Sequence, residues 1–211
     1  IRGQLRKSLR GIQRRLGVTI ILVTHDQEEA FELADRIGVI DQGRLLEIGS
    51  PEELYRQPRT EFVARFLGNA ALLNGRLEGD RLSLGNLQLT VGGSGHAATV
   101  GRVPGVAAGV VAVMLRPEDL AVSVDRESLH MPVLGRATIA AIDFRGSLTR
   151  VEAALEPQPG IRAVAAGFGQ PCIPLEVSVL PAELKRQAIS CGATAWLGIR
   201  NFHVLARTAP R

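Results

Sequence analysis

The sequence predicts two parts of different class, an α/β segment over residues 1–68 and an all-β region over residues 69–211. Three observations carry this. Leu5, Leu9, Ile12 and Leu16 recur at three- and four-residue steps, the spacing of one helix face. The aliphatic, largely β-branched run Val18–Val23 follows at once, as expected for a strand buried on both faces. After Gly68 the helical period disappears, and short apolar runs sit between glycines and charged turns.

The elements of the first part follow in order. The opening helix ends at Gly17, and the run Val18–Val23 comes next. Asp26, with Glu29 three positions on, is a capping-box-like start for a helix carrying Ala30, Phe31, Leu33 and Ala34. Ile37–Ile40 and Arg44–Ile48 flank Asp41-Gln42-Gly43, which reads as a hairpin. Ser50-Pro51-Glu52-Glu53 starts a helix: Ser caps, Pro takes the first helical position and Glu the third. Thr60 caps a last short helix, Glu61–Leu67, which stops at Gly68.

In the second part the strand-like runs are 82–84, 87–91, 110–115, 121–124, 137–142, 149–155, 175–180 and 195–199. Such spacing suggests a small barrel or sandwich. Residues 92–98 read as a flexible loop and Pro181–Lys185 as one short helix. No long internal repeat stands out, although the length leaves room for two barrel halves of similar size.

Aromatic residues are only 4% of the chain, so its core is built from Val, Leu, Ile and Ala. The net charge of +4 is uneven. Arg2, Arg6, Lys7, Arg10, Arg14 and Arg15 crowd the first sixteen residues without an acid, and the remainder is slightly acidic. A solvated helix face explains that cluster; contact with a partner or anionic lipid is the alternative. A single-strand nucleic-acid binder interleaves basic residues with stacking aromatics, and that pattern is absent. Cys172 and Cys191 stand in no metal or redox spacing, which fits an intracellular protein with incidental thiols. No signal-peptide pattern and no apolar run of membrane-spanning length is found. The chain does not open on Met and starts inside a periodic helix, which reads as part of a longer protein.

The residue that points most directly to chemistry is His25, placed between the expected buried strand and a helix. Ligands of open α/β sheets bind beyond the carboxyl ends of strands. A histidine there can donate a hydrogen bond to a phosphoryl oxygen where charge develops. Taken alone, His25 reads equally as a polar loop residue. His96, His130 and His203 are scattered and read as surface or loop residues rather than metal ligands. Trp196 reads as core or a barrel end. Ser128 and Ser147 lack a Gly-x-Ser-x-Gly context, so no hydrolase triad is supported.

Thr24-His25-Asp26-Gln27-Glu28-Glu29-Ala30, then Ala34-Asp35-Arg36-Ile37, Gly43 and Gly49-Ser50-Pro51 resemble the switch-histidine region of ABC-transporter ATPases. The importer branch serving sugars, polyamines, iron and oxyanions is the best match, and Glu61–Gly68 resembles its exit from the ATPase domain. The likeness is nearly continuous over residues 12–68. It implies that the first part is a remnant of a RecA-like ATPase domain, in which His25 contacts the γ-phosphate of ATP between two ATPase subunits. Met114-Leu115-Arg116-Pro117-Glu118-Asp119-Leu120 resembles the Arg-Pro-Glu segment of the transport-associated OB-like (TOBE) domain of these subunits. Physically, Pro117 ends a strand ladder, and Arg116 and Glu118 can pair across the turn. A structural corner is the favoured reading of Arg116, Pro117, Glu118 and Asp119. Gly135–Ile139 and Asp143–Gly146 resemble later strands of the same region.

A Gly-rich phosphate loop ending in Gly-Lys-Ser/Thr, a Leu-Ser-Gly-Gly-Gln signature and an apolar run ending in Asp-Glu are all missing. The resemblance therefore implies ATP and Mg²⁺ for a longer parent but no cofactor, metal or hydrolysis for these residues alone. It implies a homodimer, membrane-spanning permease subunits and, indirectly, an extracytoplasmic solute-binding protein as partners, with no nucleic acid. The implied location is cytoplasmic, peripheral on the inner membrane. The β region would serve dimerisation and regulation. The rival reading is a stand-alone OB-like module binding a small anion.

Overall fold

The computed structural model describes residues 2–91, 108–164 and 172–206. The loop expected at 92–98, with His96, lies outside them. The chain divides into two compact units, Ile1–Pro58 and Arg59–Arg211.

In the first unit, helix α1 (Arg2–Leu16) forms where the apolar period places it. Gly17, at φ 63°, closes it by donating to Gln13 O at 3.0 Å, the left-handed C-cap that glycine adopts without strain. Leu9, Ile12 and Leu16 of its apolar stripe stay exposed. Helix α2 (Gln27–Leu33) is capped by Asp26, whose Oδ1 accepts from Glu28 N at 2.9 Å and Glu29 N at 3.2 Å. Arg10 joins the two helices, donating to Glu32 O at 2.7 Å and pairing with Asp35 at 3.4 Å.

The buried strand expected at Val18–Val23 does not form. The segment carries no strand hydrogen bonding, and Ile21 and Val23 are 88% and 92% exposed. A parallel-type strand draws its ladder and its cover from neighbours on both sides. Among the described residues no strand pairs with this one. The sheet of the first unit is instead the hairpin of β1 (Ile37–Asp41) and β2 (Arg44–Gly49). Gln42 and Gly43, at φ 47° and 74°, make its two-residue turn, whose positive angles match the twist of the flanking strands. An α/β layered remnant is thus not what this unit displays.

Helix α3 (Pro51–Arg56) carries the full capping box. Glu53 N donates to Ser50 Oγ at 3.3 Å, and Ser50 N donates to Glu53 Oε2 at 2.9 Å.

The second unit opens with helix α4 (Glu61–Phe66), capped by Thr60. Ala64 of this helix packs with Leu72, Met114 and Leu205, so α4 belongs with the β region. Strands β3 (Ala71–Glu78), β4 (Arg81–Leu84), β5 (Leu87–Thr90) and β6 (Gly109–Leu115) follow. A 3-10 turn, Pro117–Asp119, leads into β7 (Leu120–Ser123). Then come β8 (Val133–Phe144), β9 (Thr149–Leu155), β10 (Ile173–Val179), α5 (Pro181–Arg186), β11 (Thr194–Ile199) and β12 (His203–Ala206).

They form two antiparallel five-stranded sheets, ordered β12-β6-β3-β4-β5 and β10-β9-β8-β11-β7. Edge strands β10 and β7 of the second sheet approach each other, so it curls toward the partly open shape of small barrels. Inward side chains of both sheets, among them Leu73, Leu82, Val113, Ile139, Val151 and Leu197, make one continuous core.

Strand β3 escaped the sequence reading because Asn74, Gly75 and Arg76 interrupt its apolar run. Gly75 sits where a Cβ would lie 2.7 Å from Val113 Cγ2, so the close approach of β3 to β6 requires it. Strand β12 also escaped, because it is short and opens on His203. That histidine is buried within β12, not placed on the surface or in a loop.

Candidate functional site

His25 stands exposed on a bend between the extended Val18–Val23 segment and α2. Its setting is built by its neighbours. Thr24 Oγ1 accepts from Asp26 N at 3.0 Å and donates to Glu29 Oε2 at 2.9 Å, while Asp26 caps α2. The backbone on both sides of His25 is therefore fixed and its imidazole faces solvent. Among the described residues no cluster of three or more His, Cys, Asp or Glu could hold a metal.

The Arg116–Asp119 segment is a corner where the chain leaves the first sheet for the second. Arg116 is 3% exposed and donates from NH1 to Leu67 O at 2.5 Å and Gly68 O at 3.5 Å. A guanidinium thus takes up carbonyls left unsatisfied at the end of α4, where a cation also meets the favourable end of the helix dipole. Asp119 Oδ2 accepts from Arg116 N at 3.0 Å, and Asp119 N donates to Arg116 O at 2.9 Å. The Asp119 carbonyl accepts from Arg200 N at 2.7 Å and Asn201 N at 3.3 Å. Burial pushes the Asp119 carboxyl above its ordinary value of 3.8, and Glu118 beside it adds to this. The Arg116 N–H and the Asn201 side chain act in the opposite direction. The segment lies where the chain passes from the first sheet into the second.

A pocket of about 400 Å³ lies between β7, the loop after it and α5. Ser123, Asp125, Ser128, Glu183, Arg186, Gln187 and Arg200 are among the residues that line it. Arg200 donates to Leu120 O at 3.0 Å and approaches Glu183 at 3.9 Å. The sequence reading missed Arg186 and Arg200, because neither stands in a motif and the fold alone brings them together. The half-buried Trp196 lies on the second sheet, with the Arg126 and Arg136 guanidiniums 5.4 and 5.9 Å from its ring, a cation–π arrangement. Cys172 and Cys191 are free thiols. His130 is exposed, and Ser128 donates to Asp125 at 2.8 Å.

No family model matches the chain. Over 193 residues it is 35% identical to the sulfate/thiosulfate import ATP-binding protein CysA 2 of Chromobacterium violaceum, covering 91% of this chain and 46% of that protein. Over 183 residues it is 33% identical to the spermidine/putrescine import ATP-binding protein PotA of Oleidesulfovibrio alaskensis, covering 80% and 45%. Over much of its length the chain is thus homologous to import ATP-binding proteins for sulfate/thiosulfate and for spermidine/putrescine. It spans just under half the length of these relatives. The crystal structure of the molybdate-binding protein ModG aligns with 63% of this chain and 93% of its own at a TM-score of 0.41 and 16% identity. His25 is exposed on a bend ahead of a capped helix, whereas Arg116 and Pro117 are buried in the β region's framework with Glu118 exposed beside them. Among the described residues no helix is long and apolar enough to cross a membrane.

Proposed function

We propose that this chain is the C-terminal part of the ATP-hydrolysing subunit of an ABC importer that energises uptake of a small solute. Its 35% identity to CysA 2 over 91% of the chain carries this reading. In the assembled subunit His25 contacts the γ-phosphate of ATP across a dimer of two such subunits, where a positioned donor stabilises the charge that develops on transfer. The β region serves dimerisation and regulation, and ATP-driven closure acts on permease subunits that span the membrane. The working place is the cytoplasmic face of the inner membrane. Of the solutes in play (iron, oxyanions, polyamines and sugars), the named relatives favour sulfate or thiosulfate and polyamines.

A graft tests this. The matching half of CysA 2 is replaced by this chain, and uptake of sulfate, thiosulfate and spermidine is measured in cells lacking their own ATP-binding subunit. Restored uptake of one solute supports the reading and names the cargo. A folded graft that reaches the membrane and restores none contradicts it.

The pocket at Arg186 and Arg200 favours a second reading, a small-anion-binding module. A ligand that binds only the folded chain stabilises it by about 2.7 kcal/mol at a hundredfold excess over its Kd. A thermal-shift series with sulfate and molybdate, lost on Arg200→Gln, would support that reading. Equal shifts with chloride at matched ionic strength would oppose it.

A further inference from the structure

We propose that the pocket beside β7 and α5 is a binding site for an α-amino acid, held by its carboxylate and its ammonium group together. This rests on the pocket being an anion site, the second reading of the function, and names the anion as a carboxylate carried by a zwitterion. The pocket presents charges of both signs: Arg186 and Arg200 line it, and so do Asp125 and Glu183. Two of the four are committed to each other, since Arg200 approaches Glu183 at 3.9 Å and also donates to Leu120 O at 3.0 Å. Arg186 and Asp125 are exposed and form no ion pair among the described residues. The planar fork of a guanidinium matches a carboxylate. The Asp125 carboxylate accepts from Ser128 Oγ at 2.8 Å and from Glu127 N at 3.1 Å, and these bonds hold it below its ordinary value of 3.8. It is therefore ionised at neutral pH, and its roughly four lone-pair sites leave room for a further donor.

A further acceptor is buried. Gln187 follows Glu183 by one helical turn, and its NH2 group donates to Glu183 Oε1 at 3.4 Å. That contact fixes which way the amide points, because the reversed amide would set its oxygen against the carboxylate, acceptor against acceptor. Gln187 Oε1 is buried without a hydrogen-bond partner among the described residues, and a buried acceptor calls for a donor. The remaining wall is apolar. Val122 and Leu129 are buried, and Met131 lies with Leu129 against β11. Gly198 permits this, since a Cβ there would stand 2.8 Å from Met131 Cγ and 3.3 Å from Leu129 Cδ2. Sulfate carries acceptors alone: it would suit Arg186, leave Gln187 without a donor and be repelled by Asp125. An amine alone would meet Arg186 as a like charge. An α-amino acid supplies a carboxylate for Arg186, an ammonium donor for Asp125 and Gln187, and a side chain for the apolar wall. The volume of about 400 Å³ lies within the range of small-molecule sites, about 300–1,000 Å³.

Thermal unfolding of the full chain tests this, with each standard L-amino acid, with sulfate and with hydrogen phosphate, all at matched ionic strength. The expected result is a saturable rise in midpoint with at least one amino acid. Two analogues of that amino acid, one with hydrogen in place of the ammonium group and one lacking the carboxylate, are expected to give no rise. Arg186→Gln and Asp125→Asn change exposed side chains and are expected to keep the ligand-free midpoint. Each is expected to weaken the apparent Kd about tenfold or more, the loss that one charge-assisted hydrogen bond implies. No rise with any amino acid would overturn the proposal. A rise with sulfate or hydrogen phosphate alone, lost in Arg186→Gln, would then leave the pocket a simple anion site, whereas silence across the whole series would remove that reading too. An amino-acid response matched by either analogue, or unchanged in both variants, would also overturn the proposal.

Discussion

Arg116 and Asp119 show how one corner can hold two sheets with few atoms. Burying a guanidinium is costly unless its donors are used, and here NH1 meets the carbonyls that end α4. Arg116→Ala leaves those carbonyls without this partner, and the expected loss is about 1.5–3 kcal/mol in urea unfolding, the range for hydrogen bonds to a charged group. Asp119 sets a pH dependence whose sign is fixed by its raised pKa. Below pH 3.8 the carboxyl is neutral in both the folded and unfolded states, and its contribution to stability is fully present. As pH rises through the higher folded value, the native chain must bury a carboxylate, and that contribution is lost. Asp119→Asn keeps an acceptor for the Arg116 N–H and abolishes the titration. The stability of the variant relative to the parent is therefore expected to rise from pH 4 to pH 7, as read from paired urea midpoints. At this scale the sequence disclosed that 116–119 is a corner but not what Arg116 holds. Its partners are main-chain oxygens 49 and 48 residues away, which carry no side-chain signature.

Helix caps and turns were the most legible elements, because their chemistry is local. Ser50, Pro51 and Glu53 define α3 within four residues, and Gln42-Gly43 defines the β1–β2 turn within two. Ser50→Ala removes one half of the capping box, with an expected cost of about 1 kcal/mol seen as faster amide exchange over residues 51–56. The Val18–Val23 strand was legible as a composition and failed as an element, since a central strand depends on neighbours that its own residues do not encode. Strand β3 failed in the opposite direction: Asn74 and Gly75 look like a break, yet Asn74 N donates to Arg162 O at 2.8 Å and Gly75 permits close packing. Long-range register of this kind is invisible to local periodicity.

The whole molecule depends on close contacts between distant turns. Gly85 and Gly160 lie against each other at φ 56° and 78°, and a Cβ on Gly160 would be 2.7 Å from Gly85 Cα. Gly160→Ala therefore adds both a left-handed backbone penalty and a main-chain clash. The expected destabilisation is roughly 2 kcal/mol or more, measured as a lower unfolding midpoint of the β region. The chain divides into a small unit of helices with one hairpin and a larger unit that holds the β region. The structural boundary falls at Pro58, because the packing of Ala64 draws α4 into the β unit. The role proposed for the parent subunit turns on His25. In the CysA 2 graft, the steady-state ATPase rate is the most direct measurement, taken with His25 intact and as His25→Ala. ATP turnover is expected in the first and a fall of about 10²–10³ in kcat in the second, the loss expected for one donor at a developing charge. Equal turnover in the two would contradict that role.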